Sequence, residues 1–160
     1  MKLLKPDKSI EKVEDIPLER LKEYGIKGII LDLDNTIVPW GEYQPKEGIV
    51  KFVEKAKDLD FKLCIVSNAP RDRVKKAGEV LGLQGIWYAK KPFPFSLKKA
   101  YRELLNLPPK EVALVGDQIF TDILGGNLVG FYTIMVEPIT KKDFIGTKIF
   151  RTLEKRLHLR

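Results

Sequence analysis

Short runs of apolar and β-branched residues alternate with longer amphipathic stretches along the chain, and this alternation limits the fold more than any other feature. The runs predict β-strands at 27–32, 61–66, 85–88, 111–115 and 131–136. Their apolar character is nearly continuous, which is typical of strands that helices cover on both faces. We therefore expect an α/β fold with a doubly wound, mainly parallel five-stranded sheet.

The stretches between these strands have helical periodicity and predict helices at 45–59, 70–82, 95–106 and 119–129. The chain of 160 residues has the length of one domain. We expect that domain to consist of an N-terminal arm (1–24), a core (25–138) and a basic amphipathic C-terminal helix (139–160).

Cysteine content and hydropathy narrow the class of protein. The one cysteine, Cys64, excludes an internal disulfide and a cysteine-based zinc cage. The longest apolar runs are far shorter than the ~20 residues that a membrane helix needs. Residues 1–17 lack the apolar core of a signal peptide. These features predict a cytoplasmic protein.

The net charge of +7 is concentrated at the C-terminus. Residues 141–160 contain seven Lys or Arg and two Asp or Glu, a net charge of +5. A helix over about 143–158 would have one apolar face, formed by Ile145, Ile149, Phe150, Leu153 and Leu157. Such a helix suits peripheral contact with the inner face of an anionic membrane, or it docks on the sheet or on a second subunit of a homo-oligomer.

Four polar clusters follow four of the predicted strands. They are DLDNT at 32–36, SN at 67–68, KKP at 90–92 and GDQIFTD at 116–122. Ligands of doubly wound sheets bind at the carboxyl ends of the strands, so we expect these clusters to meet at one edge. Each cluster alone is typical of a helix cap or a turn. Together they bring carboxylates, a hydroxyl and an ammonium to one place, which indicates a site for chemistry.

The four clusters, in this order, resemble the motifs of the haloacid-dehalogenase-type phosphohydrolases, and the resemblance covers about 27–136. A narrower resemblance is to the YqeG-type phosphatases of subfamily IIIA. The segments that carry it are KGIILDLDNTIVPW, IVSNAP, AKKPFP and VALVGDQIFTDILGGN. That bacterial group is similar to the mitochondrial phosphatidylglycerophosphate phosphatases. The resemblance implies a Rossmann-like catalytic core, hydrolysis of phosphomonoesters, and phosphatidylglycerophosphate as the substrate.

The resemblance also implies catalytic roles. Asp32 is expected to be the nucleophile that forms an aspartyl-phosphate, and Asp34 to protonate the leaving oxygen and then activate water. The residues expected to bind the phosphate are Ser67, Asn68 and Lys91. Lys90 is the alternative to Lys91, which is preferred because it directly precedes a proline.

The implied cofactor is Mg²⁺, a hard ion that prefers oxygen ligands. Asp32 and Asp117 are expected to supply carboxylates to the metal, and Asp34 its backbone carbonyl. The residues expected to support the site are Thr36, Gly116 and Asp122.

Spacing predicts an open site without a large cap domain, because each interval between the clusters is filled by one strand–helix unit. A short flap at about 37–46 carries Trp40 and Tyr43, which either contact the substrate or pack the flap down. An open site suits a phosphate on a large object such as a phospholipid. The basic C-terminus leaves one alternative, an RNA- or ribosome-associated binding protein with a weak or vestigial phosphatase site. The sequence contains no RNA-binding motif, so no specific nucleic acid is predicted as a partner.

Overall fold

The structure is a computed structural model that describes residues 2–141 and 145–156, without the side chains of 145–148, 150 and 151. Six parallel strands form one sheet. In chain order, β1 to β6 are Lys8–Ile10, Gly28–Leu31, Lys62–Val66, Gly85–Ile86, Val112–Gly116 and Tyr132–Val136. Their order across the sheet is β1-β6-β5-β2-β3-β4.

The α-helices of the described part, α1 to α6, are Leu18–Glu23, Glu47–Asp58, Arg71–Leu81, Pro94–Lys99, Leu124–Val129 and Ile145–Arg156. Two π-helical turns extend this set, at Ala100–Leu105 after α4 and at Ile119–Ile123 before α5. Short 3₁₀ turns lie at Lys2–Leu4, Val13–Asp15 and Pro109–Glu111. None of the described helices is both long and apolar enough to cross a membrane.

The central strands are buried on both faces, which explains their continuous apolar runs. Every residue of β2 is buried, and successive side chains pack on opposite faces of the sheet. Ile29 and Leu31 share a core with Phe52 of α2, whereas Ile30 shares a second core with Leu97 of α4. The predicted class, a doubly wound parallel α/β fold, is confirmed.

The sheet has six strands rather than the five predicted. The additional strand, β1, lies within the predicted N-terminal arm and pairs with β6, where Lys8 is opposite Ile134 and Ile10 is opposite Val136. Its three residues form a short edge strand without a buried position. An edge strand of this kind has no apolar run by which periodicity could detect it.

Other predicted elements differ mainly at their ends. The strand predicted at 85–88 ends at Ile86, and the C-terminal helix predicted over about 143–158 is described over Ile145–Arg156. The ranges 142–144 and 157–160 lie outside the described residues, and with them Leu157 of the predicted apolar face. The side chains of Ile145 and Phe150 likewise lie outside the described part.

The strand order fixes where a site can form. β3 and β4 lie on one side of β2, and β5 and β6 lie on the other, so the winding direction of the sheet changes between β2 and β5. Leu31 of β2 pairs with Val115 of β5, near the carboxyl ends of both strands. Ligand sites of doubly wound sheets form at such a switch point.

Candidate active site

Lys91 lies at the centre of the polar residues that meet at this edge. Its ammonium Nζ is 2.7 Å from Oδ1 of Asp32 and 2.5 Å from Oδ1 of Asp122, and all three residues are buried. The neighbouring Lys90 is exposed. Of the two candidate lysines, the structure therefore brings Lys91 into contact with the predicted nucleophile.

Three carboxylates form a group that could hold a metal ion. Carboxylate oxygens of Asp32, Asp117 and Asp122 lie within 4.8 Å of one another, and all three residues are buried. Three carboxylates against the one ammonium of Lys91 have a net charge of −2 when all are ionised. Buried charge is costly unless it is neutralised, and carboxylate oxygens suit a hard divalent cation. The carboxylate of Asp34 is not part of this group; its expected contribution is the backbone carbonyl.

Burial and neighbouring charge shift several pKa values in the site. Burial lowers the pKa of the Lys91 ammonium, but the carboxylates of Asp122 and Asp32 outweigh burial and raise that pKa above its ordinary value. Burial raises the pKa of Asp122 even though Lys91 opposes the change. Burial and the charge of Asp32 raise the pKa of Asp34, whereas Arg73 lowers it. Lys91 thus remains charged, while Asp34 keeps its proton to a higher pH than an exposed aspartate does.

Gly116, the last residue of β5, allows Asp122 to approach the sheet. A Cβ atom at this glycine would lie only 2.3 Å from the carboxyl carbon of Asp122. The other carboxylate oxygen of Asp122, Oδ2, accepts a hydrogen bond of 3.2 Å from the backbone N–H of Gln118. The space at Gly116 and the hydrogen bond from Gln118 hold Asp122 against Lys91, and the supporting roles of Gly116 and Asp122 stay predictions.

The turn after Asp32 is held by its own side chains. The hydroxyl of Thr36 lies 3.4 Å from Asp32 Oδ2 and 3.3 Å from Asp117 Oδ1, so it bridges the ends of β2 and β5. Asn35 adopts a left-handed conformation with φ of 58°, and its Oδ1 accepts hydrogen bonds from the backbone N–H groups of Trp40 and Thr140. The predicted supporting residue Thr36 therefore touches two of the three clustered carboxylates.

Ser67 and Asn68 follow β3 and lie beside the loop that carries Lys91. Ser67 is buried, and its Oγ accepts a hydrogen bond of 3.1 Å from the backbone N–H of Ala69. The side-chain amide of Asn68 accepts a hydrogen bond of 2.8 Å from the backbone N–H of Lys91. It also donates one of 3.3 Å to the backbone carbonyl of Lys91. Asn68 thus holds the backbone of Lys91, and its predicted contact with phosphate stays a prediction.

Arg73 of α3 is a site residue that sequence reasoning missed. Its guanidinium forms an ion pair with the carboxylate of Asp34. It also donates a hydrogen bond of 2.6 Å to the backbone carbonyl of Glu42 in the flap. The guanidinium carbon also lies 5.6 Å and 5.9 Å from the ring centroids of Trp40 and Tyr43, within the range of cation–π contacts. These aromatic residues therefore pack the flap onto α3. One signal was available, since Arg73 lies in the first turn of a helix that starts just after Ser67-Asn68.

Glu154 of α6 is a second missed residue. It is buried, and its Oε1 accepts a hydrogen bond of 3.0 Å from the backbone N–H of Ile119. Ile119 opens the π-helical turn that carries Asp122. The C-terminal helix thus contacts the loop that positions the acidic cluster. A glutamate in a basic helix gives no sequence signal for such a contact.

A buried lysine within a group of carboxylates, at the switch point of a parallel sheet, defines a doubly wound α/β protein with a charged ligand site. A family model for haloacid dehalogenase-like hydrolases matches residues 37–130. The chain is also 37% identical over 156 residues to the probable phosphatase YqeG of Bacillus subtilis, with 98% of this chain and 90% of the relative covered. The chain belongs to the haloacid dehalogenase-like hydrolase family and is a phosphatase of that family.

Two further similarities extend the comparison. The chain is 31% identical to the mitochondrial phosphatidylglycerophosphatase GEP4 of Saccharomyces cerevisiae over 174 residues, which covers 98% of this chain and 88% of the relative. Its fold is similar to the cobalt-bound deoxy-D-mannose-octulosonate 8-phosphate phosphatase YrbI of Haemophilus influenzae, with a TM-score of 0.58 and 13% identity. That match covers 72% of this chain and 70% of the other, and it supports the fold alone.

Replacing each of the two neighbouring lysines by methionine tests which of them acts in the site. Lys91→Met is expected to lower kcat for p-nitrophenyl phosphate by about 100-fold or more, because a buried donor beside the reacting oxygens is lost. It should also destabilise the protein by about 3–5 kcal/mol at neutral pH, since two buried carboxylates lose their cation. Steady-state kinetics and urea denaturation measure both effects. Lys90→Met is the matched control, and a larger loss of activity in that variant would contradict the position given to Lys91.

Removal of Arg73 should change the pH dependence of hydrolysis. Arg73 lowers the pKa of Asp34, so Arg73→Ala should raise that pKa and move the alkaline limb of kcat/KM to higher pH. The substrate should be a phosphate ester of an alkyl alcohol, whose leaving oxygen needs a proton. Arg71→Ala is the control, because Arg71 lies 5.5 Å from the centroid of Trp87 and not on the flap. An unchanged alkaline limb in Arg73→Ala would refute the coupling.

Proposed function

We propose that the chain is a Mg²⁺-dependent phosphomonoesterase that works through an aspartyl-phosphate on Asp32. The observation that carries this proposal is the contact of 2.7 Å between Lys91 Nζ and Asp32 Oδ1 inside a group of buried carboxylates. A carboxylate fixed between cationic groups can approach an anionic phosphate, which an isolated carboxylate would repel. Asp34 lies two residues further along, outside the acidic group, where it can reach a leaving oxygen.

The metal is proposed to be held by the carboxylates of Asp32 and Asp117 and by the backbone carbonyl of Asp34. When bound, Mg²⁺ would neutralise phosphate charge and reduce repulsion of the nucleophile. Asp122 is in direct contact with Lys91, at 2.5 Å, which supports a role in orienting the lysine. The three carboxylates and Lys91 together have a net charge of −2 when all are ionised, which supports a divalent rather than a monovalent ion.

In the first step, a carboxylate oxygen of Asp32 forms a bond to phosphorus while the bond to the ester oxygen breaks. Asp34 gives its proton to that leaving oxygen. In the second step, Asp34 takes a proton from water, whose oxygen attacks phosphorus and releases Asp32 and inorganic phosphate. The raised pKa of Asp34 suits the first transfer, and the Arg73 cation limits that rise so that the second transfer stays accessible.

The proposed substrate is phosphatidylglycerophosphate or another phosphate at an exposed headgroup. The name of the yeast relative, a phosphatidylglycerophosphatase, supports this choice. A site bordered by a short flap also supports it, because the phosphate of a lipid must reach Asp32 while the rest of the lipid stays outside.

Peripheral contact with the inner face of a membrane through 141–160 is a related proposal for a cytoplasmic enzyme. Glu154 turns one side of α6 to the core, and Ile149 and Leu153 on the helix remain 59% and 40% exposed. Exposed apolar side chains on a basic helix suit an anionic lipid surface.

The reaction class is tested with p-nitrophenyl phosphate. Asp32→Asn should lower kcat by at least about 10⁴-fold, because the amide is not a nucleophile at phosphorus. EDTA should abolish wild-type activity, and added Mg²⁺ should restore it. Asp58→Asn, at an exposed position at the end of α2, is the matched control. Activity that survives in Asp32→Asn or in EDTA would refute the mechanism.

The substrate is tested by comparing kcat/KM for phosphatidylglycerophosphate in mixed micelles with that for a small phosphosugar. We expect the lipid to be the better substrate, because binding energy from the glycerol headgroup can be used at the transition state. A clear preference for the phosphosugar would rule out the lipid while leaving the reaction class intact.

A further inference from the structure

The loop after β4 exposes an unusual set of large side chains beside the site. We call Trp87–Phe95 the rim segment. In it, Tyr88, Phe93 and Phe95 are 60%, 63% and 78% exposed, and Trp87 is also exposed. Large aromatic side chains with this exposure cost free energy in water. Their concentration in nine consecutive residues indicates a contact surface.

The rim segment and α4, which begins within it, are positively charged. Lys90 within the rim segment is exposed, and so are Lys98 and Lys99 at the end of α4. Residues 87–99 contain no Asp or Glu. Aromatic rings interspersed with lysines are typical of surfaces that enter the headgroup region of a bilayer, where rings reach apolar material and ammonium groups meet lipid phosphates.

The rim segment is also fixed to the site. Lys91 lies in its middle and contacts Asp32, and Ala89 donates a backbone hydrogen bond of 3.0 Å to the carbonyl of Ser67. Phe93 is two residues from Lys91 and Phe95 four, so their Cα atoms lie within about 7 and 14 Å of it. A surface that contacts the rim segment therefore lies close to Lys91 and Asp32.

We infer that the rim segment docks on an anionic bilayer and brings the lipid phosphate to Asp32. This inference rests on the proposed function for the identity of the lipid substrate, but docking itself is separate from the chemistry. A second copy of the chain is a poorer partner for the rim segment than a bilayer. A two-fold contact would bring Lys90, Lys98 and Lys99 of each copy near those of the other, and like charges repel. An anionic lipid surface neutralises the same charges.

The test measures binding to vesicles of phosphatidylcholine with and without phosphatidylglycerol, a probe that carries no phosphomonoester. Phe93→Ser/Phe95→Ser should weaken binding to the anionic vesicles by at least about tenfold, because two apolar anchors are lost. Serine at 93 also suits the N-cap of α4, so the helix should be retained. The matched control is Val80→Ser/Leu128→Ser, which removes two exposed apolar side chains near the C-terminal ends of α3 and α5, toward the amino ends of the strands.

Two charge-reversal variants test the electrostatic part of binding. Lys90→Glu should weaken binding to anionic vesicles by at least about fivefold, whereas Lys110→Glu, in the turn before β5 at the amino ends of the strands, should leave it unchanged. A third measurement detects docking directly, by the fluorescence of Trp87. The chain has two tryptophans, so Trp40→Phe leaves Trp87 as the remaining one, and its fluorescence should shift to the blue on anionic vesicles.

Docking by the rim segment is supported if the aromatic and charge variants lose vesicle binding and lipid turnover but keep wild-type hydrolysis of p-nitrophenyl phosphate. It is overturned if the wild-type protein does not bind anionic vesicles, or if Phe93→Ser/Phe95→Ser binds them as tightly as wild type. It is also overturned if only Ile149→Ser/Leu153→Ser abolishes binding, or if the rim variants disrupt a dimer in sedimentation. Vesicle binding through the rim segment without hydrolysis of phosphatidylglycerophosphate would refute the proposed substrate and leave docking standing.

Discussion

The contact of the Lys91 ammonium with the carboxylates of Asp32 and Asp122 is the interaction on which the site depends. Each of these groups would cost several kcal/mol if it were buried alone. Together they offset one another, at distances of 2.7 and 2.5 Å from the ammonium. The surroundings serve this contact, since Asn68 holds the backbone of Lys91 and Gly116 leaves room for the carboxyl of Asp122. The proposed nucleophile Asp32, fixed in this way, keeps its position before substrate arrives, which lowers the reorganisation needed in the reaction.

Sheet topology explains why residues far apart in the chain can form this group. Asp32 and Asp117 follow neighbouring strands, and the hydroxyl of Thr36 lies between their carboxylates. The strands themselves are apolar and are buried on both faces, so polar side chains can gather only where the strands end. The alternation of apolar strands and polar strand ends was readable from the sequence, and for this reason the fold class and the meeting of Asp32, Asp117 and the pair Lys90-Lys91 at one edge could be predicted. The choice of Lys91 over Lys90 came from the family resemblance, and of the two lysines Lys91 is the buried one.

The features that the sequence did not reveal share a physical cause: each depends on a partner distant in the chain. β1 is a strand only because its backbone pairs with β6 across more than 120 residues, and its own three residues have no apolar pattern. Arg73 is an ordinary helix arginine until the fold brings it to Asp34 and to the flap. Glu154 is an acidic residue in a basic helix until it meets the N–H of Ile119. Periodicity reports which face of an element is buried, and it carries no information on such pairings.

Selection of a substrate must lie outside the buried group, because the groups around Asp32 can recognise a phosphate but not the molecule that carries it. Two surfaces border that group. In the flap, Trp40 and Tyr43 are already in contact with Arg73, and Tyr43 also lies 4.3 Å from the ammonium of Lys76. In the rim segment Tyr88, Phe93 and Phe95 are 60%, 63% and 78% exposed, compared with 47% for Tyr43. Since packed aromatic residues have less free energy to gain from a new contact than exposed ones, the rim segment is the better placed of the two surfaces to bind what lies beyond the phosphate.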